Sequence, residues 1–386
     1  MQNRNLEQDN KISLACWVLC GILVIILGIL PMSPPLITQP LRPIFIAVCF
    51  LLPTTYLYRM KGEKLQIVYM LYTLVTLVAF PLTGSSISAY ISLLLFGTFY
   101  ICVATRIWAA REIGLVINTI IAACTIYGII LLISTPSLLT YGPQRINFFA
   151  YTINRNTSAF CIVPGALCSI LALLYCPSGK RRLVYAGTGI ICSALLVIIA
   201  CRSAFLSLAG GGFLIAWQRA SDSGSPQEKF KTRASVILLF LIAAAALYAA
   251  SAGTNSMRLF DLTDSTGRDE IWEEAWKIIN EKPVFGGGFD RWANTGHRMA
   301  THNAFLTIMV ASGYTGGILM ALFIASVFAE ALKIGNLIPV AFLAERVCHS
   351  YSEPGFDYFA YIPLVLAAML MRFIQNQNRD LRVIFR

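Results

Sequence analysis

The chain has 386 residues, of which 57% are hydrophobic and only 13% charged, with a mean hydropathy of +0.69. A soluble protein is roughly a quarter charged, so these proportions exclude one. The formal net charge of +11 does not point to nucleic acid, because the basic residues stand in short clusters between apolar runs, as membrane-orientation signals do.

Apolar runs of membrane-spanning length recur along the whole chain, and ten-residue alternating segments are absent. This predicts an all-α polytopic membrane protein, a single integral membrane domain over 1–386, and not a β-barrel. About twelve spans are expected, at 12–30, 41–58, 65–81, 86–105, 113–134, 156–176, 183–200, 203–217, 234–252, 303–328, 334–348 and 358–374. The first run has no A-x-A site behind it and is read as a span, not a signal peptide. The eleven cysteines form no C-x-x-C pair and lie mostly inside spans. They read as small buried hydrophobes.

Twelve spans sort the loops onto two sides. One side collects Lys61, Lys64, Arg106, Arg111, the run Lys180-Arg181-Arg182, Arg219, Lys229, Lys231, Arg233, Lys333 and the basic C-terminal residues. The short loops of the other side are poor in basic residues. The positive-inside rule then places both termini in the cytoplasm and the long 253–302 loop outside. The outer basic residues are nearly all arginine, broken only by Lys277 and Lys282. Arginine grips phosphate with two parallel hydrogen bonds where lysine offers a point charge. A phosphate-bearing substrate at the outer membrane surface is the expectation.

The 135–155 loop carries Arg145 and Arg155, with Tyr141, Phe148, Phe149 and Tyr151 as interfacial aromatics. Arg202 falls in a very short outer turn, Cys201-Arg202-Ser203, at the edge of the apolar layer. A charge there is costly and marks a functional position, with snorkelling as the plain alternative. In the long loop, Ile271, Trp272, Ala275, Trp276, Ile278 and Ile279 recur at helical spacing, with acidic residues early. This predicts an amphipathic helix over about 268–280, preceded by cap residues Asp264 to Gly267 and lying on the membrane surface, tryptophans down. Gly286-Gly287-Gly288 reads as a flexible return. Without a preceding strand or a following G-K-[ST], it is no phosphate loop.

His302 stands just before the tenth span, with Thr301 as the expected cap. A histidine at the positive end of a helix is disfavoured as imidazolium, and a neutral ring is what a general base requires. His297 and His349 have less support. No metal-ligand spacing is visible among the histidines and acids, so no metal or other cofactor is expected.

Four segments, in order, resemble the bacterial O-antigen ligase and polymerase superfamily. They are Arg202 to Leu206; Gly267-Arg268 followed by Trp272; Glu281-Lys282-Pro283-Val284-Phe285-Gly286-Gly287-Gly288; and His302-Asn303-Ala304-Phe305-Leu306 leading to Gly313-Tyr314-Thr315-Gly316-Gly317. The resemblance implies a helical fold of the lipid-linked-sugar glycosyltransferase (GT-C-like) type in the bacterial inner membrane. It implies a metal-independent, inverting transfer of a glycan from undecaprenyl diphosphate to lipid A-core oligosaccharide on the periplasmic face. In this likeness Arg202 and Arg268 hold the diphosphate and His302 activates the acceptor hydroxyl. Arg145, Arg155, Asn303, Trp272 and Glu353 are expected to bind substrate. Glu353 could equally pair with Arg346. Many members have serine where Cys201 stands. A thiol binds phosphate poorly, so Cys201 is expected to pack.

The same residues suit a polymerase that takes a second lipid-linked glycan as acceptor; the single large loop before the tenth span favours a ligase. A transporter of lipid-linked sugars is the reading from another class. It is disfavoured by the absence of internal repeats and of midplane charge.

Overall fold

A computed structural model describes residues 108–135, 145–148, 151–199, 201–222, 224–251, 268–288, 291–292, 295, 301–352, 362–376 and 380–386. The spans expected at 12–30, 41–58, 65–81 and 86–105, and the cap residues Asp264 to Gly267, lie outside them. The described chain is helical apart from one short hairpin. In order it forms α1 (Ala110–Ser134), β1 (Arg145–Phe148), β2 (Tyr151–Asn154), α2 (Arg155–Phe160), α3 (Val163–Tyr175), α4 (Gly179–Ile199), α5 (Arg202–Ser221), α6 (Pro226–Ser251), α7 (Arg268–Glu281), α8 (Ala304–Lys333), α9 (Leu337–Ser352), α10 (Ile362–Asn376) and a closing 3-10 turn, Leu381–Phe385.

Among the described residues, four stretches are long and apolar enough to cross a membrane: Ala110–Ser134, Ser158–Tyr175, Gly179–Ile199 and Ala304–Lys333. The chain is therefore a polytopic membrane protein. α3 is apolar on every face, and such a helix belongs in the centre of a bundle. Val163, Ala166, Leu167, Cys168, Leu171 and Ala172 are fully buried there, packed by α1, α4 and α5. Glycines let these helices approach closely. A Cβ on Gly165 would overlap Cys124 of α1, one on Gly128 would overlap Leu195 of α4, and one on Gly211 would meet Leu167 at 2.9 Å. α4 turns Leu183, Val184 and Ile190 outward, a lipid-facing stripe on a helix that buries its other side. Six of the seven described cysteines are buried and none forms a disulfide; only Cys348 is exposed.

One end of the bundle is a knot of polar contacts. Tyr175 donates to Asp222 at 2.6 Å, and Gln218 both donates to Asp222 and accepts the Leu337 N–H at 2.9 Å. Arg219 covers the Leu174 carbonyl, and Arg181 binds the Arg386 carbonyl at 2.9 Å. Arg219 thereby satisfies a carbonyl left open where α3 ends. The ends of α3, α5 and α8, the start of α9 and the C-terminal residues therefore meet there; this is the end that the positive-inside expectation turns inward, and it is called the inner end. The starts of α5 and α8, at Arg202 and Ala304, lie at the opposite end.

The interior of α8 departs from the uninterrupted span expected at 303–328. Gly313, at φ 65° and ψ −168°, breaks it. The part beyond the break, 314–333, is about 30 Å long at 1.5 Å per residue, enough to cross a bilayer alone. The part before it, 304–312, is packed along its length by α7.

Candidate active site

The corner at the start of α8 is built by its cap. Asn303 accepts from the backbone N–H groups of Phe305 and Leu306 at 2.9 and 3.1 Å, so the cap is Asn303 and not Thr301. Both residue types cap helices well; Thr301 instead donates to the Asn303 carbonyl at 3.1 Å and meets Thr307 Oγ1 at 2.6 Å. Between the two buried residues the chain must reverse, and His302 takes φ 50°. Among the described residues it is the one non-glycine at positive φ. That conformation costs on the order of 1–3 kcal/mol and persists only where its surroundings impose it. Its side chain is half-buried.

What imposes it is α7. Its apolar stripe, Ile271, Ala275, Ile278 and Ile279, is buried, the last three against Leu306 and Val310 of α8. Protein therefore covers the stripe that was expected to rest on the membrane surface. Trp272 donates its indole N–H to the Thr301 carbonyl at 2.9 Å, fixing the loop one residue before His302. Trp276 stays 42% exposed beside Tyr314. Arg268 opens α7 one turn before Trp272, and residues four apart share a helix face. Arg268 thus stands on the side of α7 that holds the His302 loop.

The glycine-rich return is a fitted part rather than a flexible one. The break at Gly313 leaves the Val310 and Ala311 carbonyls without their usual helical donors. Gly287 and Gly288 supply them, with N–H groups at 2.8 and 2.9 Å, and the Tyr314 N–H bonds the Pro283 carbonyl at 2.7 Å. Tyr314 Oη also donates to Asn280 at 2.9 Å. The two glycine segments singled out in the sequence are the two halves of one clip, which ties the end of α7 to the middle of α8.

Arg202 opens α5, half-buried, with Cys201 buried behind it and Cys201 Sγ 3.4 Å from Ser203 Oγ. α5 packs along α9, whose outer end carries Tyr351, and the Tyr351 ring meets Trp272 edge-on at 5.6 Å. Arg202 and the Arg268–His302 corner therefore flank the outer end of α9. The hairpin pairs Arg145 with Asn154, next in the chain to Arg155, so its register sets these two backbone positions side by side. Glu353 and His297 lie outside the described residues. Asn303 Oδ1 and the Trp272 N–H, expected on substrate, are engaged within the protein. Sequence reasoning gave little weight to His349, which the structure buries on α9 at 3.1 Å from Glu345.

The fold and this corner define a polytopic helical membrane protein with basic residues and a strained histidine gathered at one end of the bundle. Residues 187–321 match the family model described as O-antigen ligase. The match supports placing the chain in the O-antigen ligase and polymerase superfamily, and with it a membrane glycosyltransferase of ligase or polymerase type. It spans Arg202, α7, the glycine clip and His302. No curated protein matches the chain.

Proposed function

We propose that the protein transfers an O-antigen polysaccharide from undecaprenyl diphosphate to lipid A-core oligosaccharide, at the periplasmic face of the bacterial inner membrane, with both termini cytoplasmic. The observation that supports this most is His302. It is held at φ 50° between two buried residues, at the mouth of a helix whose flank carries Arg268. In this reading His302 accepts the proton of an acceptor hydroxyl as its oxygen attacks the anomeric carbon. The bond from that carbon to the diphosphate breaks, and the diphosphate leaves with the electron pair. Arg202 and Arg268 bind the charge as it grows on the leaving group, which lowers the barrier because the donors are already in place. Attack opposite the leaving group inverts the anomeric centre, and the arginines do without a metal what a metal often does. A positioned base contributes roughly 10²–10⁴-fold. Arg145, Arg155 and Glu353 are assigned to the acceptor and donor sugars, while Asn303 and Trp272 act by shaping the loop.

The test uses purified protein in detergent, a glycan on undecaprenyl diphosphate, lipid A-core and EDTA. Wild type is expected to glycosylate the lipid A-core, and His302→Ala is expected not to. Lengthening of the lipid-linked glycan alone makes the protein a polymerase. Passage of the lipid-linked glycan across vesicles without either product makes it a transporter.

A further inference from the structure

The proposed chemistry leaves a second polar group unused. Glu345, Arg346, His349 and Ser350 of α9 are all buried, at 5% exposure or less. Glu345 and His349 stand four residues apart on one helix face, with Oε1 and Nδ1 at 3.1 Å. Glu345 Oε2 has no hydrogen-bond partner among the described residues, and neither has Ser207 Oγ of α5, itself 2% exposed.

These two atoms belong to facing turns. α5 and α9 run antiparallel, since the inner end of α5 binds the inner end of α9 through Gln218 and Leu337. Their register is set where a Cβ on Gly211 would come 3.4 Å from the Ala341 carbonyl. One turn outward from that contact brings Ser207 on α5 opposite Glu345 on α9. The Phe160 ring, at the end of α2, stacks on His349 from another side. Two residues further out, Tyr351 meets Trp272, which holds the His302 loop. The pair thus lies between the α5 turn that carries Ser207 and the corner that carries Arg268 and His302, and it meets α2 through Phe160.

A carboxyl group and an imidazole buried between helices are a poor way to gain stability. An apolar pair of the same volume commonly does as well or better. Ionisable groups at membrane depth point first to function. What leucines cannot reproduce is the flat imidazole stacked on Phe160 of α2 and held in one rotamer by the Glu345 carboxylate, a contact between elements that favours one rotation of α9.

We propose that Glu345 and His349 are positioning residues of the glycosyl transfer, fixing the outer end of α9 and so the spacing between Arg202 and the Arg268–His302 corner. This rests on the transferase reading of that corner. The experiment compares wild type with Glu345→Gln and with Glu345→Leu/His349→Leu, measuring thermal stability in detergent and kcat and KM for the lipid-linked donor. The double leucine variant is expected to melt at or above the wild-type temperature while kcat falls about 10–100-fold, the scale of an ångström-sized misplacement. Glu345→Gln, which keeps an acceptor for the imidazole, is expected to recover most of the rate. In an Arg202→Ala background the leucines are expected to cost little more, because the two act through one geometry.

Wild-type kcat in the leucine variant, loss only in step with lost folded protein, or full multiplication with Arg202→Ala would overturn the proposal. Absence of transfer by wild type itself defeats the transferase reading instead. The pair is then judged on binding of undecaprenyl diphosphate alone, where weaker binding by an equally stable leucine variant supports it and equal binding overturns it.

Discussion

Strain and function separate cleanly at His302. Its left-handed backbone, at φ 50°, is one that glycine adopts freely and histidine does not. His302→Gly relieves that strain, at the cost of a more flexible unfolded chain. It is expected to leave stability unchanged or raise it by up to about 1 kcal/mol, while transfer falls by roughly 10²–10⁴-fold. Melting curves and rates on the same preparation check both halves; a glycine variant with wild-type rate removes His302 from the chemistry. Trp272→Phe keeps an aromatic ring beside Tyr351 but deletes the donor to the Thr301 carbonyl. It is expected to cost about 1 kcal/mol and to lower kcat more than it raises KM, because it loosens the base and not a substrate contact. At this scale the sequence pointed to His302 through its place before an apolar run. It could not say which of Thr301 and Asn303 caps the helix, because both side chains suit the role and the choice depends on how the chain enters the corner.

Among the elements, the clip between 283–288 and the break in α8 makes the sharpest distinction. Gly286 and Gly313 have φ of 73° and 65°, and a Cβ on either would come within 2.5 Å of the other segment's backbone. Backbone has no rotamer with which to move aside. Alanine at either position combines a strained backbone with this overlap, and the loss of a cross-bond costs about 1 kcal/mol more. Each is expected to lower stability by at least about 2 kcal/mol and to abolish transfer by releasing α7. Gly287 differs: its φ is not positive, and a Cβ would meet no backbone of the other segment but the near end of the Arg291 side chain, with Cγ at 2.5 Å, which must shift. Gly287→Ala is expected to cost less stability than alanine at Gly286 or Gly313 and to retain part of the activity. Equal effects at all three positions, measured by thermal unfolding, would remove the clip as the cause. α7 itself was legible, because its buried residues repeat at helical spacing. The break in α8 was not, since the apolar pattern runs through Gly313 without interruption. The pairing of the two glycine segments was equally hidden, since backbone hydrogen bonds between distant residues leave no periodic mark. The Glu345–His349 spacing of four was visible, but a span drawn to end at 348 cut the pair in two.

Across the whole molecule the charge separates along the bundle axis. Lys180, Arg181, Arg182, Arg219 and Arg233 gather at the end that also holds Arg386; Arg182 and Arg219 bind the Cys176 and Leu174 carbonyls, and Arg233 the Ser221 hydroxyl. Arg202, Arg268 and His302 occupy the other. Because these inner cations also bind protein carbonyls, their position records fold as well as orientation, and the positive-inside argument needs a direct check. Cysteine accessibility supplies it. Cys348 is exposed and must be replaced first; the other described cysteines are buried. Glu273→Cys, on an α7 side chain 72% exposed, is expected to react with a membrane-impermeant maleimide on intact cells stripped of their outer membrane. Gln227→Cys, exposed at the start of α6, is expected to react only after the inner membrane is opened. The reverse pattern would put the His302 corner in the cytoplasm, where lipid A-core on the far leaflet is out of reach, and would end the ligase reading even if the site bound diphosphate.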